Sequence, residues 1–196
     1  MKDEERLTQW LANLQDCDDD QGEAIVQRIA SLGETASAKL SQAYQSADAG
    51  LRWWIVRASA ELPGQGMLAL DLKALGDPDR EVRHCAALAL QQRASPEAVD
   101  ALVACLGDND SLLARLSANA LVAIGKPAVP ALVLSLQSAP AKVRMEAVRA
   151  LALIGDTRCV PILFNLLEDE SSIVEYWAAE GLERMGIGMS FFHPGL

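Results

Sequence analysis

The sequence is poor in aromatic, basic and histidine residues, and these shortages exclude several classes of protein. Aromatic residues make up 5% of the 196 residues, and two histidines are present. Lys and Arg number 17 against 27 Asp and Glu, which gives a net charge of −10. A surface with this charge repels nucleic acids and anionic lipids. We therefore expect neither a nucleic-acid partner nor a membrane partner.

The chain also lacks long apolar runs and paired cysteines. No apolar run approaches the roughly 18 residues of a membrane span, and the acidic start at Asp3, Glu4 and Glu5 is unlike a signal peptide. The four cysteines are far apart, with no Cys-x-x-Cys pair, which is typical of reduced thiols in the cytoplasm. These absences predict a cytoplasmic protein without disulfides.

Alanine and leucine dominate the composition, with 32 Ala and 29 Leu. Both are strong helix formers. Apolar residues also recur at the spacing i, i+3, i+4, i+7, as in Val129, Leu132, Val133 and Leu136. This spacing places them on one face of a helix. The sequence therefore predicts an all-helical chain.

An internal repeat organises these helices. The same apolar pattern recurs at 99–106 and at 160–167, at distances of 30 and 31 residues. Glycine recurs with that period, at Gly33, Gly64, Gly125, Gly155 and Gly186, and Ala94-Ser95 fills the remaining position. Glycine is favoured where a helix ends in a left-handed residue. A helix pair of this length cannot bury its own apolar face, so the pairs are expected to stack into a right-handed α-α superhelical solenoid.

We expect one solenoid over residues 1–196. It consists of a degenerate N-terminal helix pair (1–33, with helices near 3–15 and 21–32), five helix-pair repeats (34–186) and a C-terminal tail (187–196). In the tail, Met189, Phe191 and Phe192 are expected to cover the last repeat, or alternatively to anchor a partner subunit. Asp77-Pro78 and Ser95-Pro96 each resemble an N-cap followed by a first-turn proline, which predicts a helix start at each.

The repeat resembles the HEAT repeat. The resemblance rests on Asp-x-x-x-x-Val-Arg before an Ala-rich helix, and on Val-Pro at Val129-Pro130 and Val160-Pro161 in the preceding helices. The short period and the segment Gly50–Ala58 are similar to the branch named after phycobilisome lyases. This resemblance implies a ladder between repeats, formed by Asp77, Asp108 and Asp169 with Arg52, Arg83 and Arg144. The ladder is interrupted at Ser46, Ser138, Ala114 and Glu175.

HEAT-like solenoids expose one face of the second helices along a concave groove. On that face we expect binding residues at Trp53, Arg57, His84, Arg115, Asn119, Met145, Arg149 and Tyr176. Tryptophan, tyrosine and arginine are common anchors at protein interfaces. The neighbouring Trp54 and Trp177 are expected to be buried between repeats. A mixed surface without a dedicated ligand is the alternative interpretation of this face.

No catalytic constellation is recognisable in the sequence. Iron-dependent hydroxylases built on similar repeats carry a His-Glu pair where this chain has His84-Cys85. The second histidine, His193, lies in the tail. We therefore expect no metal and no cofactor.

These features predict a non-enzymatic HEAT-like scaffold that binds a protein or peptide in its concave groove. The alternative, implied by the resemblance, is a subunit of a phycobilin lyase or a bilin-handling chaperone. In that case Arg57 or Arg149 would pair with the bilin propionates, and an exposed cysteine would relay the thioether.

Overall fold

The structure is a computed structural model that describes residues 2–137 and 139–187, without the side chain of Lys2. Over these ranges the chain forms α-helices and short 3-10 helices, and no β-strand occurs in them. The predicted all-helical fold is therefore confirmed. The chain divides into two compact units, which are Met1–Ser95 (unit 1) and Pro96–Leu196 (unit 2).

Unit 1 contains three helix pairs. The helices are α1 (Lys2–Asn13), α2 (Asp19–Ala30), α3 (Ser37–Tyr44), α4 (Ala49–Glu61), α5 (Leu68–Ala74) and α6 (Arg80–Arg93). The second helix of each pair packs against the next second helix, because α4 contacts both α2 and α6. The first two helices each end two residues before the position predicted from the sequence.

Unit 2 repeats this arrangement. Its helices are α7 (Val99–Ala104), α8 (Ser111–Ile124), α9 (Val129–Ser135), α10 (Ala141–Ile154), α11 (Val160–Asn165) and α12 (Ser172–Arg184). Here α10 packs against α8 and α12. The first helix of each pair is a short α-helix that follows a 3-10 turn, such as Pro96–Ala98 before α7. A second 3-10 turn follows α7 at Cys105–Gly107 and α11 at Leu166–Glu168.

The predicted apolar faces form the core. Leu102, Leu132 and Leu163 occupy equivalent positions in three first helices, and none of them is exposed to solvent. Burying one leucine side chain contributes roughly 1.5–3 kcal/mol to the hydrophobic stabilisation. The recurrence of these residues therefore explains why each helix pair needs a neighbouring pair to be stable.

Aspartates cap most of the second helices, but at a different position from the one predicted. The N-cap of α6 is Asp79, whose Oδ1 accepts from the N–H groups of Glu81 (2.9 Å) and Val82 (3.3 Å). Asp77-Pro78 is therefore not the helix start, and the prediction was wrong by two residues. Asp48 and Asp110 cap α4 and α8 in the same way. The signal was present in the sequence, since these three aspartates recur at 31-residue intervals.

The turns between repeats contain the predicted left-handed residues. All five periodic glycines have a positive φ, between 60° and 75°. Ala94 occupies the remaining position with a φ of 49°, and it is the one non-glycine residue in the described ranges with a positive φ. The backbone thus requires this conformation at every repeat boundary, even where the sequence supplies an alanine.

Within the described ranges, no single helix is long and apolar enough to cross a membrane. The segments Ser111–Ile124 and Lys126–Ser135, which are bent by 116° against each other, are long and apolar enough for a span only when they are taken together.

Candidate functional site

Two rungs of the implied ladder are present as bidentate ion pairs. Arg52 donates from Nε and Nη2 to the two carboxylate oxygens of Asp77, at 2.7 and 2.8 Å. Arg144 makes the same contacts with Asp169, at 2.8 and 2.9 Å. Asp77 also accepts from the hydroxyl group of Tyr44. Burial alone would raise the pKa of Asp77, but the hydrogen bonds from Arg52 and Tyr44 hold it below its usual value.

The remaining ladder residues fix the turns that precede the second helices. Arg83 donates to the carbonyl oxygen of Asp77 at 2.9 Å, and Asp108 accepts from the N–H of Asp110 at 2.8 Å. Asp77 and Asp169 accept in the same way from the second residue after them. These aspartates therefore orient the N-cap residue rather than cap the helix themselves.

Unit 1 contains a cleft of about 630 Å³ on its second-helix face. Trp53 and Trp54 of α4 line it, with ring centroids 4.8 Å apart and planes at 84°. Trp54 is buried, as predicted, and a Cβ at Gly22 of α2 would collide with its indole ring. Trp53 is half-buried and faces the cleft. The other lining residues are Asp19, Glu23, Ala49, Gly50, Asp79 and Glu81.

Arg57 lies one helical turn after Trp53, between two glutamates. It donates to both carboxylate oxygens of Glu23 at 2.9 and 2.8 Å, and to Glu61 at 2.7 Å. Burial by itself would lower the pKa of Arg57, but the hydrogen bonds to Glu61 and Glu23 raise it above its usual value. The guanidinium charge is thus already neutralised by acidic side chains, which the sequence analysis did not identify.

His84 is buried in α6, with 5% of its surface exposed. Its Nδ1 lies 3.6 Å from a carboxylate oxygen of Glu81. No group of three or more potential metal ligands occurs among the described residues. His84 is therefore buried, whereas we expected it to line the exposed face of the second helices.

In unit 2 the predicted site residues form a network around one buried carboxylate. Glu146 is 2% exposed and accepts from the Nε atoms of Arg115 and Arg149, both at 3.0 Å. Arg149 is itself buried and also donates to Asn119 Oδ1 at 2.9 Å. Arg115 remains half exposed. Four residues of the second-helix face are thus tied together, and Glu146 was missed by the sequence analysis.

The aromatic residues of α12, Tyr176 and Trp177, are more exposed than the network around Glu146. Tyr176 is 55% exposed and makes an edge-to-face contact with Trp177, with centroids 5.6 Å apart. Trp177 is half-buried rather than buried as we expected. Met145 of α10 is also half-buried. Ser138 and the tail residues Met189, Phe191, Phe192 and His193 lie outside the described residues.

Two of the four cysteine thiols, Cys85 and Cys159, are buried. Burial raises the pKa of Cys85 to about 12 and that of Cys159 to about 11. Cys17 and Cys105 are half-buried, and no disulfide joins the four cysteines, all of which lie in the described ranges. Since the thiolate is the reactive form, Cys85 and Cys159 are inert at neutral pH.

The paired helices, the Asp–Arg ladder and the turn residues define an α-solenoid built from short helical repeats. The sequence profile of HEAT repeats matches residues 69–141 and 129–188, which together cover more than half of the chain. The chain therefore belongs to the HEAT-repeat family.

Comparisons with known proteins agree with this assignment. The chain is 35% identical over 92 residues to the bilin biosynthesis protein RpcF of Synechococcus sp. (strain WH8020). The match covers 46% of this chain and 44% of that protein, so the chain spans less than half the length of this relative. It supports the resemblance to the phycobilisome-lyase-like branch.

Solved structures of engineered repeat proteins share the fold. One engineered protein aligns with a TM-score of 0.51 and 24% identity, covering 93% of this chain and 97% of that one. A designed armadillo repeat protein, solved in complex with the peptide (KR)4, aligns with a TM-score of 0.50 and 21% identity over 91% of this chain and 99% of that one.

Proposed function

We propose that this chain is a non-enzymatic binding module that holds a protein or peptide segment on the face of its second helices. The observation that carries the proposal is Trp53, a half-buried tryptophan that lines a cleft of about 630 Å³. A rigid aromatic side chain at the edge of a concavity is the usual anchor of a protein interface. HEAT repeats provide extended surfaces for such contacts.

The three arginines of the proposed binding face, Arg57, Arg115 and Arg149, differ in their accessibility. Arg149 is buried and bound to Glu146 and Asn119, so it supports the face without offering a free guanidinium group. Arg115 and Tyr176 are the accessible residues of unit 2. We therefore assign direct partner contacts to Trp53 in unit 1, and to Arg115 and Tyr176 in unit 2.

The test is a selection of phage-displayed random peptides against the intact chain, with the Trp53→Ala variant as counter-target. We expect a set of peptides that binds the natural chain at least tenfold more tightly than the variant, because each anchor contributes about 2 kcal/mol. The matched control is Trp10→Ala in α1, which does not line the cleft. Circular dichroism checks that both variants remain helical. Equal recovery of peptides by the natural chain and Trp53→Ala would refute the proposal.

A bilin-handling role is the second candidate, and the similarity to RpcF favours it. The geometry of the cysteines and arginines supports it less. Arg57 is occupied by Glu23 and Glu61, and Arg149 is buried, so neither offers a free guanidinium group to a propionate. An absorbance titration with phycocyanobilin tests this role. Stoichiometric binding that is lost in Arg57→Ala would favour the bilin role over the peptide role.

A further inference from the structure

The cleft of unit 1 combines an aromatic wall with an acidic rim. The wall is formed by α4, through Trp53, Trp54, Ala49 and Gly50. The rim comes from both neighbouring helices: Asp19 and Glu23 from α2, and Asp79 and Glu81 from the start of α6. None of these described lining residues is basic. The cleft therefore presents negative charge on two sides of an indole ring.

Ion pairs with arginines compensate part of the charge of these carboxylates. Glu23 shares Arg57 with Glu61, so one cation serves two anions. Asp79 accepts two backbone N–H groups as the cap of α6, and its charge also acts on Arg52. Glu81 pairs with Arg80 at the surface, at 3.1 Å, where both side chains are more than 60% exposed. Its carboxylate also lies 3.6 Å from Nδ1 of His84. Asp19 is fully at the surface of the first turn of α2.

The aromatic wall adds a second, independent feature. A cation over the face of a tryptophan gains about 0.5–2 kcal/mol from the ring quadrupole. Trp54 holds Trp53 at a right angle by an edge-to-face contact, and the indole of Trp54 is itself fixed against Gly22. The half-exposed Trp53 thus offers a fixed aromatic ring, and the acidic side chains of the rim favour a positively charged ligand beside it.

We propose that this cleft binds a lysine- or arginine-bearing segment of a partner protein, with the cationic side chain against Trp53 and the backbone crossing between α2 and α6. This inference rests on the proposed function and specifies its partner. Acidic segments and molecules with propionate groups are repelled by the same rim. Complementary charge also predicts rapid association that weakens as salt is added.

The experiment is isothermal titration calorimetry of the intact chain with three acetylated, amidated octapeptides. Their sequences alternate glycine with lysine, glutamine or glutamate. We expect the lysine peptide to bind at least tenfold more tightly than the glutamine peptide, and the glutamate peptide to show no binding. Trp53→Ala should weaken the lysine peptide at least fivefold. Asp19→Asn/Glu81→Gln, which retains both the α6 cap and the partner of Arg57, should weaken it about tenfold.

A matched control separates this site from the general attraction of an acidic protein for a cationic peptide. Glu175→Gln/Glu183→Gln removes the same charge from exposed positions of α12, and it should change the affinity less than twofold. Equal weakening by the two double variants would overturn the inference. If the lysine peptide fails to bind while selected peptides still depend on Trp53, the inference is overturned and the proposed function stands. If no peptide depends on Trp53, both fail.

Discussion

Arg57 in unit 1 and Arg149 in unit 2 occupy the same position of their repeats but lie in opposite electrostatic surroundings. Arg57 is one cation between two glutamates, and its side chain is 25% exposed. Arg149 and Arg115 are two cations around one glutamate, and Arg149 is 7% exposed. The arginine at this repeat position therefore belongs to an acidic surface in unit 1, and to a buried network with more cations than anions in unit 2.

This difference shows that a repeat position fixes the direction of a side chain but not its role. In both units the arginine projects from the second helix towards the preceding second helix. What it meets differs between the repeats: Arg57 meets Glu23 of α2, whereas Arg149 meets Asn119 of α8 and Glu146 of its own helix. The partner residues decide whether the arginine stabilises the fold or shapes a binding surface.

The largest expected effect comes from removing the arginine of the buried network. Arg149→Met leaves the carboxylate of Glu146 buried with only the half-exposed Arg115 as a partner. Breaking a buried ion pair costs about 3 kcal/mol or more, whereas Arg57→Met removes a partly exposed pair and should cost less than about 1 kcal/mol. Urea unfolding followed by circular dichroism measures both values.

The double variant Arg149→Met/Glu146→Leu is the control for this prediction. Because it removes both buried charges, it should recover more than half of the stability that the single variant loses. Equal losses for Arg57→Met and Arg149→Met would contradict the distinction between the two networks.

The pH dependence of stability should also differ between the units. Asp71 of α5 is fully buried beside Ser59 and Arg93, and burial raises its pKa to about 6. Its folded pKa lies above the unfolded value, so its contribution to stability is complete below pH 3.8 and is lost as the pH rises through 6. Between pH 7 and pH 5 the free energy of unfolding should therefore rise by roughly 1 kcal/mol from this group.

Asp156 in unit 2 provides the comparison. Hydrogen bonds from Arg158 lower its pKa to about 2, so its contribution is lost only as the pH falls through 2 and is constant between pH 7 and pH 5. Urea unfolding at pH 7, 6 and 5 should show that Asp71→Asn reduces the pH dependence and that Asp156→Asn leaves it unchanged. The same slope in the natural chain and in Asp71→Asn would contradict this assignment.

The sequence predicted the repeats well because their signals are local and periodic. Apolar spacing defines the buried faces, and glycine at the repeat boundary supplies the left-handed turn residue, as at Gly125. The ion-pair partners were only partly predictable. Glu23 lies 34 residues before Arg57, and nothing in the pattern distinguishes it from other surface acids. Glu61 and Glu146, in contrast, lie four and three residues from Arg57 and Arg149 on the same helix, and that spacing could have predicted both pairs. The burial of Arg149 was missed because it depends on packing against the preceding second helix, where Arg149 donates to Asn119. The burial of His84 was missed as well.

The smallest expected effect compares the turn residues of the two units. Ala94 adopts a φ of 49°, and Gly155 adopts a φ of 66° at the equivalent position of a later repeat. A side chain in the left-handed region destabilises the folded chain by about 1 kcal/mol, and replacing it by glycine removes this cost. The greater freedom of glycine in the unfolded chain offsets part of that stabilisation. Ala94→Gly should therefore stabilise the chain by roughly 0.5 kcal/mol. Gly155→Ala should destabilise it by about 0.5–1 kcal/mol.

Gly155 isolates the backbone effect, because a Cβ added there would meet no atom within 4 Å. Any loss of stability in Gly155→Ala then comes from the left-handed conformation and from the unfolded chain, not from a collision. Thermal unfolding of the two variants should give shifts of opposite sign. If both variants shift the unfolding temperature in the same direction, the turn at Ala94 does not require a left-handed residue as the glycine turns do.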